Sequence, residues 1–137
     1  MLTVKQHVFQ HTVRTSEVDV AGVVYHAKYL EYMDWARGEW LFESGCSAEE
    51  MIEQQMVAVV ANITITYRRP LKMRDPIKIV TTPVKAGTKS FVVRQEIILA
   101  DDLCACEADI TMVMVDMKEQ RSVPLPAKLK SLFPDNT

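Results

Sequence analysis

The sequence predicts an α+β fold in which one long helix is covered by an antiparallel sheet. Apolar residues recur with a helical period over residues 27–44, and from residue 56 onward they alternate with a period of two. The alternating segments are joined by short turns, so neighbouring strands should pair antiparallel. One face of such a sheet must be covered, and only the long helix is apolar enough to cover it.

The first half of the chain is predicted to contain a strand, a loop and the main helix. Residues 4–14 alternate weakly and favour a strand, and residues 15–25, interrupted by Gly22, favour a loop. The apolar stripe of the helix at 27–44 consists of Tyr29, Leu30, Met33, Ala36, Trp40 and Leu41. Gly45 follows the helix and suits the left-handed position after its last turn.

The second half is predicted to be mostly strand. Ser47 and Glu50 have the spacing of a capping box, which favours a short helix to about Gln54. Strands are then predicted at residues 57–67, 76–85, 90–100 and 103–117. Residues 126–133 favour a short closing helix.

Length and composition indicate a single domain over residues 1–137, since domains of about 100–150 residues are the commonest. The net charge of −2 gives no general attraction to nucleic acid or to an anionic membrane. No stretch approaches the ~20 apolar residues that cross a bilayer, and no signal peptide is evident. We therefore expect a cytoplasmic protein with no nucleic-acid partner and no membrane span.

The cysteines and histidines do not indicate a metal or a disulfide framework. Three cysteines are an odd and sparse set, and Cys104 and Cys106 are expected to share one face of a strand as small apolar residues. His7 and His11 also share a strand face, but we expect no carboxylate or cysteine set to complete a metal site around them.

The loop before the main helix carries the residues best suited to chemistry. The first turn of a helix presents unpaired N–H groups, which can stabilise an oxyanion. Asp19 could act there as nucleophile or general base, Gly22 lets the backbone approach a ligand, and His26 could orient it. Each of these residues could equally cap or shape the loop. Glu17 is expected to be a solvated loop residue.

Three motifs together resemble one known family. Residues 17–26 read EVDVAGVVYH, with Tyr29 shortly after, residues 67–70 read YRRP, and residues 89–91 read KSF. This combination resembles the 4-hydroxybenzoyl-CoA thioesterase family of hotdog-fold proteins, and especially the acyl-CoA thioesterases associated with the bacterial Tol-Pal envelope system. The resemblance covers nearly the whole chain, although Glu17 replaces the usual Asp.

The resemblance implies a hotdog fold and hydrolysis of an acyl-CoA thioester. Asp19 would be the catalytic carboxylate, as nucleophile or general base, with His26 assisting it. The backbone amides of Val24, Tyr25 and His26 would form the oxyanion hole. No cofactor is expected, because coenzyme A is part of the substrate. The expected substrate-binding residues are Gly22, Tyr29, Arg68, Arg69, Lys89 and Ser90, of which the cations belong to a basic rim that also includes Lys72, Arg74 and Lys85.

Two other functions remain open from the sequence, a non-catalytic acyl-CoA-binding module and a hydratase or dehydratase of acyl thioesters. The resemblance also implies a homodimer or homotetramer with the site at a subunit interface. Trp35 and Gly38 are candidates for contacts between protomers. Arg37 lies in the apolar helical stripe and needs a partner, either across an interface or near the site. The acyl group cannot be deduced from these residues.

Overall fold

The computed structural model describes residues 5–135. The elements, in chain order, are β1 (His7–Thr12), a 3₁₀ turn (Thr15–Glu17), α1 (His26–Glu43), α2 (Ala48–Glu53), β2 (Met56–Tyr67), β3 (Pro76–Ala86), β4 (Ser90–Leu99), β5 (Cys104–Asp116), β6 (Arg121–Ser122) and α3 (Ala127–Lys130). The predicted elements are therefore present. Of the predicted helix at 126–133, the four residues Ala127–Lys130 form α3. The predicted start of β1 at residue 4 lies outside the described residues.

The strands form one antiparallel sheet in the order β1-β3-β4-β5-β2, with β6 paired to the end of β5. This sheet curls around α1, which confirms the predicted α+β hotdog architecture. Within residues 5–135, β2 pairs with β5 alone, so its second edge has no neighbour. A bulge at Ala61 interrupts the alternation of β2. Val59 and Val60, which precede the bulge, are both exposed.

α1 buries a broader face than its apolar stripe predicted. Met33 and Ala36 are fully buried as expected. Tyr32 is also fully buried and Trp35 is half-buried, although neither belongs to the predicted stripe. The reason is that β1 covers this flank of the helix. The ring of His11 in β1 packs against both rings, with its centroid 5.2 Å from that of Tyr32 and 5.3 Å from that of Trp35. Part of the Trp35 side chain is thus covered by residues of its own chain.

The helix ends follow the sequence signals. Gly45 after α1 has a φ of +79°, the left-handed conformation that glycine adopts without a steric penalty. At the start of α2, the Ser47 hydroxyl accepts a hydrogen bond from the Glu50 amide at 3.2 Å. None of the helices within residues 5–135 has the length and apolar character to cross a bilayer.

The hydrogen-bond partners of Arg37 belong to its own chain. Its guanidinium donates to Gln95 Oε1 at 2.9 Å and to Asp34 Oδ1 at 3.2 Å. The Gln95 amide in turn donates to Thr81 Oγ1 at 2.9 Å and to the Met33 carbonyl at 3.0 Å. Because Arg37, Gln95 and Thr81 are all buried, this network joins α1 to β3 and β4 through polar contacts in the core.

Replacing Gln95 with leucine should lower the free energy of unfolding by about 2–3 kcal/mol, because the buried Arg37 loses a hydrogen bond to its charged group. The measurement is urea-induced unfolding. Gln6→Leu is the matched control, since the Gln6 amide donates to Thr82 Oγ1 at 3.0 Å on the exposed side of the molecule. That variant should shift stability by less than about 0.5 kcal/mol. Equal losses in the two variants would contradict a special role for the buried network.

Candidate active site

The loop that carries Asp19 closes on itself as a miniature hairpin. Val18 and Val24 form an isolated antiparallel bridge at its base. Inside it, the Asp19 amide donates to the Val23 carbonyl at 2.9 Å, and the Gly22 amide donates to the Asp19 carbonyl at 3.0 Å. Gly22 has a φ of +80°, so a side chain at this position would be strained. The glycine is therefore needed for the turn itself.

The closed loop is docked on a turn that follows β2. The Val24 amide donates to the Leu71 carbonyl at 2.8 Å, and the Met73 amide donates to the Gly22 carbonyl at 3.4 Å. Val23 and Lys72 form a second isolated bridge between the two segments. Leu71 is fully buried, which anchors the turn in the core. The position of Asp19 consequently depends on residues about fifty positions later in the chain.

The Asp19 side chain is exposed and only half of its carboxylate is engaged. Oδ1 accepts hydrogen bonds from the Ala21 amide at 2.9 Å and, more weakly, from the Val23 amide at 3.4 Å. Oδ2 has no donor among the residues that the structure describes. These contacts are those of a turn-forming aspartate, but they also fix one oxygen and leave the other directed to solvent. A carboxylate held in this way is suited to act as nucleophile or base.

The N-terminus of α1 supplies the hydrogen-bond donors next to this loop. Tyr25 is the N-cap, its backbone is extended, and no side chain caps the helix. The amides of Tyr25 and His26 have no acceptor within residues 5–135, as expected for the first positions of a helix. The Val24 amide is different, because the Leu71 carbonyl already accepts its hydrogen bond. This corrects the prediction that the Val24 amide is an oxyanion donor. Two of the three predicted amides remain as candidate donors.

His26 lies at the edge of a shallow depression floored by aromatic rings. Its carbonyl accepts a hydrogen bond from the Tyr67 hydroxyl at 2.8 Å, and its ring lies 4.3 Å from that of Tyr25. The depression is lined by Val24, His26, Tyr29, Tyr67, Arg68, Arg69 and Pro70. Tyr67 was not among the predicted site residues, although it opens the YRRP motif. Its hydroxyl fixes the first turn of α1 to the end of β2.

Tyr29 lines this depression and is hydrogen-bonded to the backbone of the turn after β2. Its hydroxyl accepts from the Leu71 amide at 3.0 Å and donates to the Arg69 carbonyl at 3.3 Å. Burial raises the pKa of Tyr29, so the phenol stays protonated at neutral pH. The predicted substrate contact of Tyr29 can therefore involve its ring, while its hydroxyl is already committed to the backbone.

Glu17 is buried, which corrects the expectation of a solvated residue. Its carboxylate accepts hydrogen bonds from the Arg14 amide at 2.8 Å, from His11 Nε2 at 2.9 Å and from the Tyr32 hydroxyl at 3.0 Å. Burial raises the pKa of Glu17, but these three hydrogen bonds outweigh it, so the pKa lies below its ordinary value of 4.5. The side chain is ionised at neutral pH. Its contribution to stability is complete above pH 4.5 and is lost as the pH falls through the lowered pKa.

The predicted basic rim is only partly available. Arg68 forms an ion pair with Glu107 at 2.7 Å, and Arg94 contacts the other oxygen of Glu107 at 3.0 Å. The hydrogen bond from Arg68 lowers the pKa of Glu107 below its usual range, so this cluster is ionic at neutral pH. Arg69, in contrast, has no carboxylate partner within residues 5–135. Arg69 is therefore the better candidate for an anionic part of the substrate.

Lys89 and Ser90 do not meet Asp19 within one chain. Ser90 pairs with Val113 of β5, whereas Tyr67, at the site, pairs with Cys106 of the same strand. These two positions on β5 are seven residues apart in sequence, which corresponds to about 23 Å along the strand. The two residues lie at the opposite end of the sheet from the Asp19 loop.

The histidines and cysteines give no support for a metal ion. His7 contacts Glu43 at 2.7 Å and His11 contacts Glu17, so each ring is paired with a carboxylate. A bulge in β5 corrects the expectation that Cys104 and Cys106 share one strand face, because Cys106 is buried whereas Cys104 is half-buried near Glu96 and Glu107. Because Glu107 is neutralised by two arginines and burial raises the pKa of the Cys104 thiol, this group is poorly suited to hold a cation.

Known proteins resemble this chain over most of its length. The family model described as the thioesterase-like superfamily matches residues 13–133. The long-chain acyl-CoA thioesterase FadM of Escherichia coli (strain K12) is 34% identical over 122 residues, which cover 88% of this chain and 92% of that protein. The acyl-CoA thioester hydrolase YbgC of Escherichia coli O157:H7 is 29% identical over 117 residues, covering 85% and 87%.

Solved structures extend the similarity of fold. A 1,4-dihydroxy-2-naphthoyl-CoA thioesterase from Synechocystis superposes with a TM-score of 0.87 over 96% of this chain and 98% of that one, at 22% identity. A protein from Staphylococcus aureus solved in complex with CoA gives a TM-score of 0.88 at 14% identity, over 100% and 91%. The family match and the motifs around Asp19 lead to one conclusion: this chain belongs to the thioesterase-like superfamily.

Proposed function

We propose that this protein hydrolyses acyl-CoA thioesters to the free acid and coenzyme A, with Asp19 as the catalytic carboxylate. The observation that carries the proposal is the combination of two features at the start of α1. The Asp19 carboxylate accepts hydrogen bonds through one oxygen alone among the described residues, and the amides of Tyr25 and His26 have no acceptor there. The relatives FadM and YbgC, whose names describe acyl-CoA thioester hydrolysis, support the same substrate class.

The chemistry needs few groups, because a thiolate is a good leaving group. In one route, Asp19 attacks the thioester carbonyl carbon, the C–S bond breaks, and water then hydrolyses the resulting mixed anhydride. In the other route, Asp19 takes a proton from a water molecule as that water attacks the carbonyl. Both routes consume one water and release an acid and a thiol. In both, the Tyr25 and His26 amides stabilise the oxygen as it becomes negative.

The neighbouring side chains suit the remaining parts of the substrate. The exposed ring of His26 lies at the helix start, where it can donate a hydrogen bond and orient the thioester. The guanidinium of Arg69, which has no carboxylate partner among the described residues, can contact a phosphate of coenzyme A. We assign Asp19 to catalysis, His26 to orientation and Arg69 to anion binding.

We also propose that the active enzyme is a dimer in which two β2 strands pair antiparallel. The free edge of β2 and the exposed Val59 and Val60 favour such pairing, because an unpaired edge strand invites another chain. A twofold axis between Ala61 and Asn62 would place the partner's Val59 beside Thr64. Since Val59, Val113 and Ser90 are in register across one chain, the partner's Ser90 and the partner's Lys89 would move toward the Asp19 end. The offset along the strands falls from about 23 Å to about 10 Å.

Asp19→Asn should lower kcat for acyl-CoA hydrolysis by at least about 100-fold, because the amide is neither a nucleophile nor a base. The measurement is release of free thiol from short, medium, long and aromatic acyl-CoAs. Asp101→Asn is the matched control, since Asp101 Oδ1 accepts the Leu103 amide two residues ahead at 3.1 Å, as Asp19 does with Ala21. That control should retain wild-type kcat.

Two outcomes would contradict the proposal. If no acyl-CoA releases thiol but wild type and Asp19→Asn bind acyl-CoA equally well, the protein is a binding module. If enoyl- or hydroxyacyl-CoA gains or loses water without thiol release, it is a hydratase or dehydratase. Substrate preference within an active panel would identify the acyl group.

Val60→Lys should convert the proposed dimer to a monomer and abolish most of the hydrolytic activity, because a charged side chain on an edge strand opposes strand pairing. The mass in solution is measured by light scattering, together with kcat. Ile52→Lys serves as a control, because Ile52 is equally exposed but lies on α2, away from this edge. A monomeric wild type with full activity would refute the dimeric site.

A further inference from the structure

We propose that Glu17 is a positioning residue, which holds the Asp19 loop at a fixed place relative to the N-terminus of α1. This inference rests on the proposed function, because it names a second carboxylate on which hydrolysis depends. It assigns Glu17 no contact with substrate. Its effect would pass through Asp19, two residues later in the chain.

The carboxylate of Glu17 joins three separate elements. His11 Nε2 reaches it from β1 at 2.9 Å, and the Tyr32 hydroxyl reaches it from α1 at 3.0 Å. The Arg14 amide closes the 3₁₀ turn onto the same carboxylate at 2.8 Å. Only 9% of the residue is exposed, so water cannot readily replace these donors. Hydrogen bonds to a buried charge are also stronger than those between neutral groups.

The groups around Glu17 are themselves fixed. Tyr32 is fully buried, and the His11 ring packs against both Tyr32 and Trp35. The remaining side-chain hydrogen bond from the 3₁₀ turn, among the residues described, is a weak one from the Thr15 hydroxyl to Met73 Sδ at 3.8 Å. Among the side chains of this turn, the Glu17 carboxylate therefore makes the principal hydrogen bonds at the entrance to the Asp19 loop.

Glu17 also lies where it can control the geometry between Asp19 and the oxyanion donors. The next residue, Val18, forms the bridge with Val24 that closes the Asp19 loop. Tyr32 lies on the helix whose first turn presents the Tyr25 and His26 amides. One carboxylate thus connects the loop that carries Asp19 with the helix that carries the donors. A displacement of about 1 Å between reacting groups can lower a rate about 100-fold.

The test compares Glu17→Gln, Glu17→Asp and Tyr32→Phe with wild type. Glu17→Gln keeps the shape but loses the charge, and we expect kcat to fall about 10- to 100-fold while KM changes less than about threefold. Glu17→Asp restores the carboxylate on a shorter side chain and should recover part of kcat. Tyr32→Phe removes one donor and should lower kcat about two- to tenfold. Hydrogen exchange of the Asp19 and Gly22 amides, which are bonded within the loop, should accelerate in Glu17→Gln.

Thr81→Val separates positioning from a general loss of stability. It removes the hydroxyl that accepts from Gln95, in a buried network away from the Asp19 loop. We expect a lower melting temperature with unchanged kcat and unchanged exchange of the loop amides. The positioning role is overturned if folded Glu17→Gln keeps kcat within about twofold of wild type, or if Thr81→Val loses kcat to the same degree. If wild type hydrolyses no acyl-CoA, the proposed function fails. The positioning role is then judged by hydrogen exchange alone, and unchanged exchange of the Asp19 and Gly22 amides in Glu17→Gln would overturn it.

Discussion

The structure depends on the burial of one broad face of α1 by the sheet. Tyr32, Met33 and Ala36 lose all contact with water, and they can do so only because the sheet curls around the helix rather than lying flat against it. The curl brings β1 and β3 against α1. It also leaves the first turn of α1 at the rim of the molecule, beside the end of β2. The unpaired amides of the helix and the Asp19 loop meet at that rim.

Much of this fold follows from periodicity, and the differences have a common cause. The change of period after residue 56 separates helix from sheet, and Gly45 and Ser47 mark helix ends where the structure has them. Periodicity does not show what approaches a residue from elsewhere in the chain. Glu17 is a charged loop residue, so its sequence context favours exposure, yet it is buried because polar partners from distant elements meet it. Arg37 lies in the apolar stripe of α1, but its partner Gln95 comes from a distant strand and could not be identified from the pattern.

The candidate site shows the same division between local and distant information. Asp19, Gly22 and His26 could be selected from a ten-residue motif, because a tight turn before a helix is a local property. The Val24 amide could not be excluded in that way, since its acceptor is the carbonyl of Leu71. The separation of Ser90 from Asp19 likewise emerges from strand order and register, which no single segment encodes.

The docking of the Asp19 loop on the turn after β2 has a consequence for folding. The Tyr67 hydroxyl and the His26 carbonyl that accepts from it are 41 residues apart in the chain, and the Val24 and Leu71 contact spans a similar distance. Contacts between distant residues require closure of long loops and form slowly compared with a local helix or turn. A nascent chain that has completed α1 already contains Asp19 and the helix amides, but lacks the surface on which the loop is held. The geometry of the candidate site is therefore acquired late, when the second half of the chain has been synthesised and has folded onto the first.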